Sequence, residues 1–215
     1  DHIETAMTSL RMRGIDAINF DLMYGLPGQT VDHVLSTIDQ ALTLKPNRFA
    51  VFGYAHVPWF KKHQKMIETD EPNGGLPGTE ERLAQAEAAR EAITAAGYVE
   101  IGMDHYALPD DPMAHAWVRG NRQRNFQGFT TDDAGTLIGF GASSISCTDF
   151  GYALNNPHVG DYRKAVEAGQ LPVVRGTALS AEDRLRRRII SDIMCEKIIN
   201  LASICRQHGF PAGHF

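Results

Sequence analysis

Within an apolar run at 15–24, Asn19 and Asp21 alternate with Ile18, Phe20 and Leu22. A period of two puts the apolar set on one strand face and Asn19, Asp21 and Met23 on the other. A carboxylate on such a face accepts hydrogen bonds from ribose hydroxyls or a ligand amine, or it is satisfied by a neighbouring arginine or backbone amide. Pattern alone leaves both readings open, since a buried carboxylate needs some partner. A second apolar run closes on Tyr54-Ala55-His56-Val57-Pro58, which sets a small residue, an aromatic and an imidazole side by side. Ala55 could let its backbone approach a flat base, while a lone histidine such as His56 serves structure more often than chemistry. A third run closes on Gly102-Met103-Asp104-His105-Tyr106, giving a second cluster at the same expected sheet edge.

Further along, Arg124-Asn125-Phe126-Gln127-Gly128-Phe129-Thr130-Thr131 is expected to form a loop. An arginine pairs bidentately with a carboxylate such as a propionate, and an aromatic ring covers a planar ligand. The alternative is a packed surface loop anchored by Phe126 and Phe129. The glycine-rich run 139–146 either cradles phosphate or lets backbones approach closely; it lacks a P-loop lysine and GxGxxG spacing. Cys147, Cys195 and Cys205 are too dispersed for the tight multi-cysteine loop of an iron-sulfur cluster, so buried thiols and no metal ligands are expected.

The elements that position these groups follow from periodicity. Ile3, Met7 and Leu10 predict a helix over 1–14, followed by the strand at 15–24. The turn Gly25-Leu26-Pro27-Gly28-Gln29-Thr30 leads to a helix capped by Thr30, with Asp32 in its first turn. A strand at 49–55, an alanine-rich helix at 79–96 ended by Gly97 and a strand at 98–105 complete the alternation. Strands joined by helices predict a parallel sheet with crossovers. The polar segment 59–78, with Pro72, Asn73, Gly74, Gly75 and Pro77, is expected to be an excursion at the ligand edge of that sheet. Pro109-Asp110-Asp111-Pro112 opens a stretch expected to be irregular to about 136, followed by a mostly helical part. In it, Ser180-Ala181-Glu182-Asp183 has capping-box spacing and predicts a helix through Ile199.

The fold class expected is α/β, a partial (β/α) barrel of about three βα units followed by a mostly helical region. Three such units cannot close an eight-stranded barrel, which takes about 250 residues. Boundaries are expected at 1–108, 109–179 and 180–215. Because the sequence opens on a helix with no strand before it, it is expected to be a segment of a longer protein. The strand at 15–24 would then lack a neighbour, and residues 18–22 would exchange amide hydrogens faster than 99–103.

At 43% hydrophobic over 215 residues the chain can bury a substantial core. A net charge of -5, with basic residues dispersed except for Arg184, Arg186, Arg187 and Arg188, argues against a nucleic-acid partner. No apolar run approaches the roughly 20 residues of a membrane span, so a cytoplasmic protein without a membrane partner is expected.

Four motifs in order carry a resemblance: Ile18-Asn19-Phe20-Asp21-Leu22-Met23-Tyr24-Gly25-Leu26-Pro27-Gly28-Gln29-Thr30, Gly102-Met103-Asp104-His105-Tyr106-Ala107, the segment from Arg124 to Thr131, and the run 139–146. Together they resemble the oxygen-independent coproporphyrinogen III oxidases of the radical S-adenosylmethionine superfamily. The motif at 21–30 is shared with a related haem-chaperone family, whereas those beginning at Gly102 and Arg124 point to the oxidases. The resemblance implies conversion of two propionates of coproporphyrinogen III to vinyl groups in haem biosynthesis, giving protoporphyrinogen IX. It implies S-adenosylmethionine and a [4Fe-4S] cluster as cofactors, a 5'-deoxyadenosyl radical as the oxidising agent, an electron donor or acceptor, and a monomer. By motif, Asp21 would bind the nucleoside part of S-adenosylmethionine, Ala55 and Ile145 would line its pocket, and Phe126 and Gln127 would lie beside cofactor and substrate. Arg124 is assigned to a substrate propionate on chemical grounds. The family's CxxxCxxC motif is expected upstream of Asp1, so this segment alone is expected to be inactive. The alternative function is a haem chaperone, or a tetrapyrrole-binding protein without turnover.

Overall fold

Asn19, Asp21 and Met23 do stand apart from Phe20, Leu22 and Tyr24 on β1 (Asn19–Tyr24), whose exposure alternates residue by residue. A computed structural model describes residues 2–68, 75–126, 128–196 and 198–215 and divides by packing into two units, 1–115 and 116–215. In the first unit α1 (His2–Arg11) buries Met7, and Arg11 donates to the carbonyls of Leu44 and Lys45 at 2.8 and 2.7 Å. The helix α2 (Val31–Thr43) buries Val34, Ile38 and Ala41, which recur at helical spacing. Thr30 caps it as expected, and the box is closed by His33, whose Nδ1 accepts from the Thr30 amide. The helix α4 (Thr79–Ala95) ends ahead of Gly97, whose φ of 93° only glycine adopts without strain. Between these helices lie β2 (Arg48–Gly53) and the short α3 (Lys65–Glu68). Pro72, Asn73 and Gly74 of the expected excursion lie outside the described residues.

The helices α2 and α4 pack on the apolar side of the sheet over Phe49, Val51, Tyr98 and Tyr106, with Phe20, Leu22 and Tyr24 at the margin. Phe49 meets Tyr98 and Phe20 edge-on, with ring centroids 5.0 and 6.3 Å apart. Tyr98 donates its hydroxyl to the Pro46 carbonyl at 2.6 Å.

The third strand departs from expectation. The run 98–105 is not one strand but a hairpin, β3 (Val99–Gly102) and β4 (His105–Ala107), turning at Met103 and Asp104 with φ of 45° and 65°. Two successive positive φ angles are the signature of a tight hairpin turn whose twist suits the strands. The sheet order is β1-β2-β4-β3, with β1 parallel to β2 and β4 antiparallel to both β2 and β3. The three expected strands therefore run the same way, but β4 is inserted between the second and third. Both β1 and β3 are edge strands, so the expected contrast in hydrogen exchange between them has no topological basis.

Burial, with Glu100 and Asp104 nearby, pushes the Tyr106 hydroxyl up to about 12 from its ordinary 10. Folding thus favours the neutral phenol, a contribution intact below pH 10 and lost as the pH rises from 10 through 12. Urea stability should fall across that window and Tyr106→Phe should flatten the fall in part, because burial also raises Tyr24 and Tyr98. An identical slope in the variant would remove Tyr106 as a cause.

The stretch expected to be irregular is ordered by regular elements. The helix α5 (Pro112–Arg119) starts at Asp111-Pro112, and the Arg124 segment is a hairpin of β5 (Gln123–Asn125) and β6 (Gly128–Thr130), not a loop. The part expected to be mostly helical holds a three-stranded antiparallel sheet of β7 (Ile145–Thr148), β8 (Gly151–Asn155) and β9 (Val173–Ala178), with α6 (Val159–Glu167) between β8 and β9. Ser180 and Asp183 form the expected capping box of α7 (Ala181–Cys195), which stops before Ile199; α8 (Leu201–Gln207) follows. Leu185, Ile204 and Cys205 form the core between these helices. No helix among the described residues is long and apolar enough to cross a membrane.

Candidate functional site

Asp21 sits on the open face of the first unit's sheet, its Oδ1 accepting from Asn19 Nδ2 at 2.6 Å. Strand register sets Ala50 beside Asp21, and His105 beyond Ala50. Met23 is paired with Phe52, whose ring meets His105 at 5.7 Å. Arg48, the arginine of this face, is bound instead by Asp111, with its Nε 2.9 Å from both carboxylate oxygens. The row Asp21, Ala50, His105 thus crosses three strands, and its third member is on β4, not on the end of a long β3.

Two buried glutamines, neither singled out from sequence, hold the loops beyond β1 and β2. Gln85 of α4 accepts from the Gly25 amide at 2.9 Å and donates to the Gln29 carbonyl at 2.5 Å, spanning the Gly25–Thr30 turn. Gln64 accepts from Val57 N at 2.6 Å and donates to the Ala55 carbonyl at 3.1 Å. The signal for Gln85 was present: it occupies an apolar position of α4, in register with Ala89 and Ile93. Arg82 lies over the same edge, donating to Tyr54 O at 2.8 Å and packing so close that a Cβ on Gly53 would meet its Nη2 at 3.1 Å. Ala55 is exposed and held through its carbonyl by Gln64, with the rings of Tyr54 and His56 6.1 Å apart.

The second unit gathers another set. Arg124 on β5 lies 5.1 Å from the Phe129 ring centroid, and Phe126, at the hairpin tip, sits edge-on to Tyr152 at 5.4 Å. Gln127 lies outside the described residues. Beneath the hairpin the buried Arg122 stacks on Trp117 and Phe129 at 4.1 and 4.3 Å and donates to the Cys195 carbonyl. Burial lowers the Arg122 pKa and raises that of the Cys195 thiol. Arg124 and Phe126 line one cavity of about 850 Å³ together with Tyr152, Arg184 and Arg187. Ile145, half-buried on β7 opposite Leu154, is not among its lining residues.

The glycine-rich run is resolved in favour of close approach. The amides of Gly139, Gly141 and Ser143 are turned inward to Ser146 Oγ, Tyr162 OH and Asn156 O, at 3.0, 3.1 and 3.1 Å. A Cβ on Gly139 would stand 2.9 Å from that of Ser144. These amides are committed within the fold and do not form a phosphate cradle.

Among the described residues no three His, Cys, Asp or Glu side chains are grouped to hold a metal ion. Cys195 and Cys205 are buried on different helices and Cys147 is on β7, which does not fit the clustered thiolates of a [4Fe-4S] centre. An acceptor oxygen on an open sheet face, by contrast, fits the ribose or amine of a nucleoside cofactor.

A mixed α/β fold with a polar sheet face and an arginine-lined cavity has a close structural counterpart. Over 97% of this chain and 47% of the other, it matches the coproporphyrinogen III oxidase (HemN) of Escherichia coli, described as a radical SAM enzyme, with a TM-score of 0.84 and 35% identity. No protein-family model matches the chain. By sequence it is 50% identical over 200 residues to the oxygen-independent coproporphyrinogen III oxidase of Bradyrhizobium diazoefficiens, covering 93% of the chain and 44% of that relative. The enzyme of the same name from Paracoccus denitrificans is 45% identical over 207 residues, covering 96% of the chain and 45% of the relative. The chain is related by sequence and by fold to the oxygen-independent coproporphyrinogen III oxidases, and spans less than half the length of the relatives it matches.

Proposed function

We propose that the protein acts in the oxygen-independent oxidation of coproporphyrinogen III to protoporphyrinogen IX in haem biosynthesis, as a radical S-adenosylmethionine enzyme. The observation that carries this reading is the 50% identity over 200 residues to an enzyme of that name, a span that includes the residues predicted to do the chemistry. The sheet of the first unit, with helices on its apolar side and a polar opposite face, is read as an arc of a βα barrel with that face toward the lumen. S-adenosylmethionine and a [4Fe-4S] cluster supply the radical chemistry when bound, with the cluster's ligands outside the described residues. Asp21 accepts from the nucleoside or amine of S-adenosylmethionine, a role supported by Arg48 being engaged by Asp111 and so not neutralising it. In this reading Ala55 and Ile145 line that ligand's pocket, and Phe126 and Gln127 belong near the cofactor and substrate. Arg124 pairs with a substrate propionate. The enzyme is cytoplasmic and monomeric, served by an electron donor or acceptor.

The test is anaerobic turnover by the protein at native length, reconstituted with iron and sulfide and supplied with coproporphyrinogen III and S-adenosylmethionine. Formation of protoporphyrinogen IX is expected. Tetrapyrrole binding without product would favour a haem chaperone instead. Within that assay, Asp21→Asn keeps the shape but loses a charge-assisted acceptor worth roughly 1.5 to 3 kcal/mol, so S-adenosylmethionine affinity should fall about 10- to 100-fold. Unchanged affinity by calorimetry, with intact folding, would make Asp21 a structural residue.

A further inference from the structure

The basic cluster at 184–188 does not act as one patch, because helical spacing splits it. Arg186 turns to Glu182 at 2.5 Å and lies 4.9 Å from the Phe215 ring. Arg184, Arg187, Arg188 and Ser191 follow i, i+3, i+4 and i+7 along one stripe of α7, and that stripe lines the cavity into which Arg124 also looks. Arg187 is held from across the cavity, by a strand rather than by its own helix. Its Nη1 donates to the Thr148 carbonyl at 2.9 Å, and its guanidinium lies 5.9 Å from the Tyr152 ring.

The cavity carries acidic groups too, three aspartates against four arginines. Asp132 accepts from the Ala134 amide, and Asp149 is 3.7 Å from Arg187 with its side chain 72% exposed, a weak pair. Asp133 and His208 also line it, and Arg188 is taken by Asp192 at 2.8 Å. A guanidinium has five N–H donors, more than these bonds use at Arg184 and Arg187. Beside them stand Phe126, Phe150 and Tyr152, surfaces for a flat or puckered macrocycle. A volume of about 850 Å³ lies within the range of small-molecule sites.

We propose that this cavity binds carboxylate arms of the tetrapyrrole that are not converted, with Arg187 as the main anchor and Arg184 and Arg124 beside it. The inference rests on the coproporphyrinogen reading and adds which arms the arginines hold. A carboxylate that departs does so as neutral carbon dioxide, so a guanidinium paired with it favours the ground state and slows the step. Pairing with an arm that persists binds substrate and transition state alike.

The test uses the protein at native length, with folding checked by circular dichroism. Arg187→Met should raise KM for coproporphyrinogen III tenfold or more while kcat stays within threefold, the pattern of lost uniform binding. Arg187→Lys should recover part of the loss, Arg184→Met should give a smaller rise, and Arg186→Met, outside the cavity, should change neither parameter. An unchanged KM in Arg187→Met, or a fall in kcat at unchanged KM, would overturn the proposal. Fluorescence titration supplies an arm independent of turnover. Coproporphyrin III should bind at least tenfold tighter than its uncharged tetra-amide, and the preference should collapse in Arg187→Met. No preference in the parent protein would also overturn it. If the parent protein yields no product yet keeps the preference, the enzymatic reading fails and the carboxylate site stands.

Discussion

Replacing Asp111 with alanine should destabilise the first unit by about 3 kcal/mol in urea unfolding, the low end of the 3 to 5 kcal/mol for breaking a buried ion pair. The Asp111 side chain is 2% exposed and both its oxygens lie 2.9 Å from Arg48 Nε. The same carboxylate accepts from the Met113 amide at 2.7 Å, capping α5 with Pro112 in the first helical position. Removing it strands a charge and a helix end together. The low end applies because the Arg48 side chain remains 31% exposed and can recruit water. The double variant Arg48→Met with Asp111→Ser should regain most of the loss, since serine restores the cap and methionine removes the orphaned cation. A single variant within 1 kcal/mol of the parent would show that the pair behaves like a surface contact.

The second large effect is expected from Gln85→Leu. The change keeps the volume but leaves the Gly25 amide and the Gln29 carbonyl without the side chain that satisfies both. Each orphaned buried group costs about 1 to 3 kcal/mol, and the two together about 2 to 4 because Gln29 is only half-buried and its carbonyl can turn to water. Amide exchange should localise the damage, with Gly25 exchanging faster while Phe49 and Tyr106, in the middle of the sheet, keep their protection. Uniform loss of protection would mean that the turn and the sheet unfold as one unit. Because this turn follows directly from β1, the variant should also weaken S-adenosylmethionine binding if Asp21 has the proposed role.

The correspondence between sequence and structure is uneven for reasons visible at individual residues. Pro112 reads as a break in a run of Pro and Asp, yet proline is favoured at the first helical position, and Asp111 caps the helix that starts there. The 98–105 run was legible as extended but not as two strands. Met103 and Asp104 are not the glycine or asparagine that usually announce such a turn, and the fold imposes their positive φ angles. The Arg124 segment has too few residues on each side of its turn for a strand period to show, so its hairpin rests on cross-strand pairing.

What the sequence by itself determined was local. It set which face of β1 is polar, where Thr30 and Ser180 cap helices, where Gly97 ends one, and which motifs tie the chain to its relatives. Each of these depends on residues within a few positions of one another, where period and side-chain chemistry act directly. The tertiary structure alone decided that β4 enters between β2 and β3, that Gln85 reaches back 60 residues to Gly25, and that three arginines of α7 share one cavity with Arg124. Those outcomes turn on which distant surfaces meet. Burial then selects, from many locally acceptable pairings, the one that leaves the fewest polar groups unsatisfied.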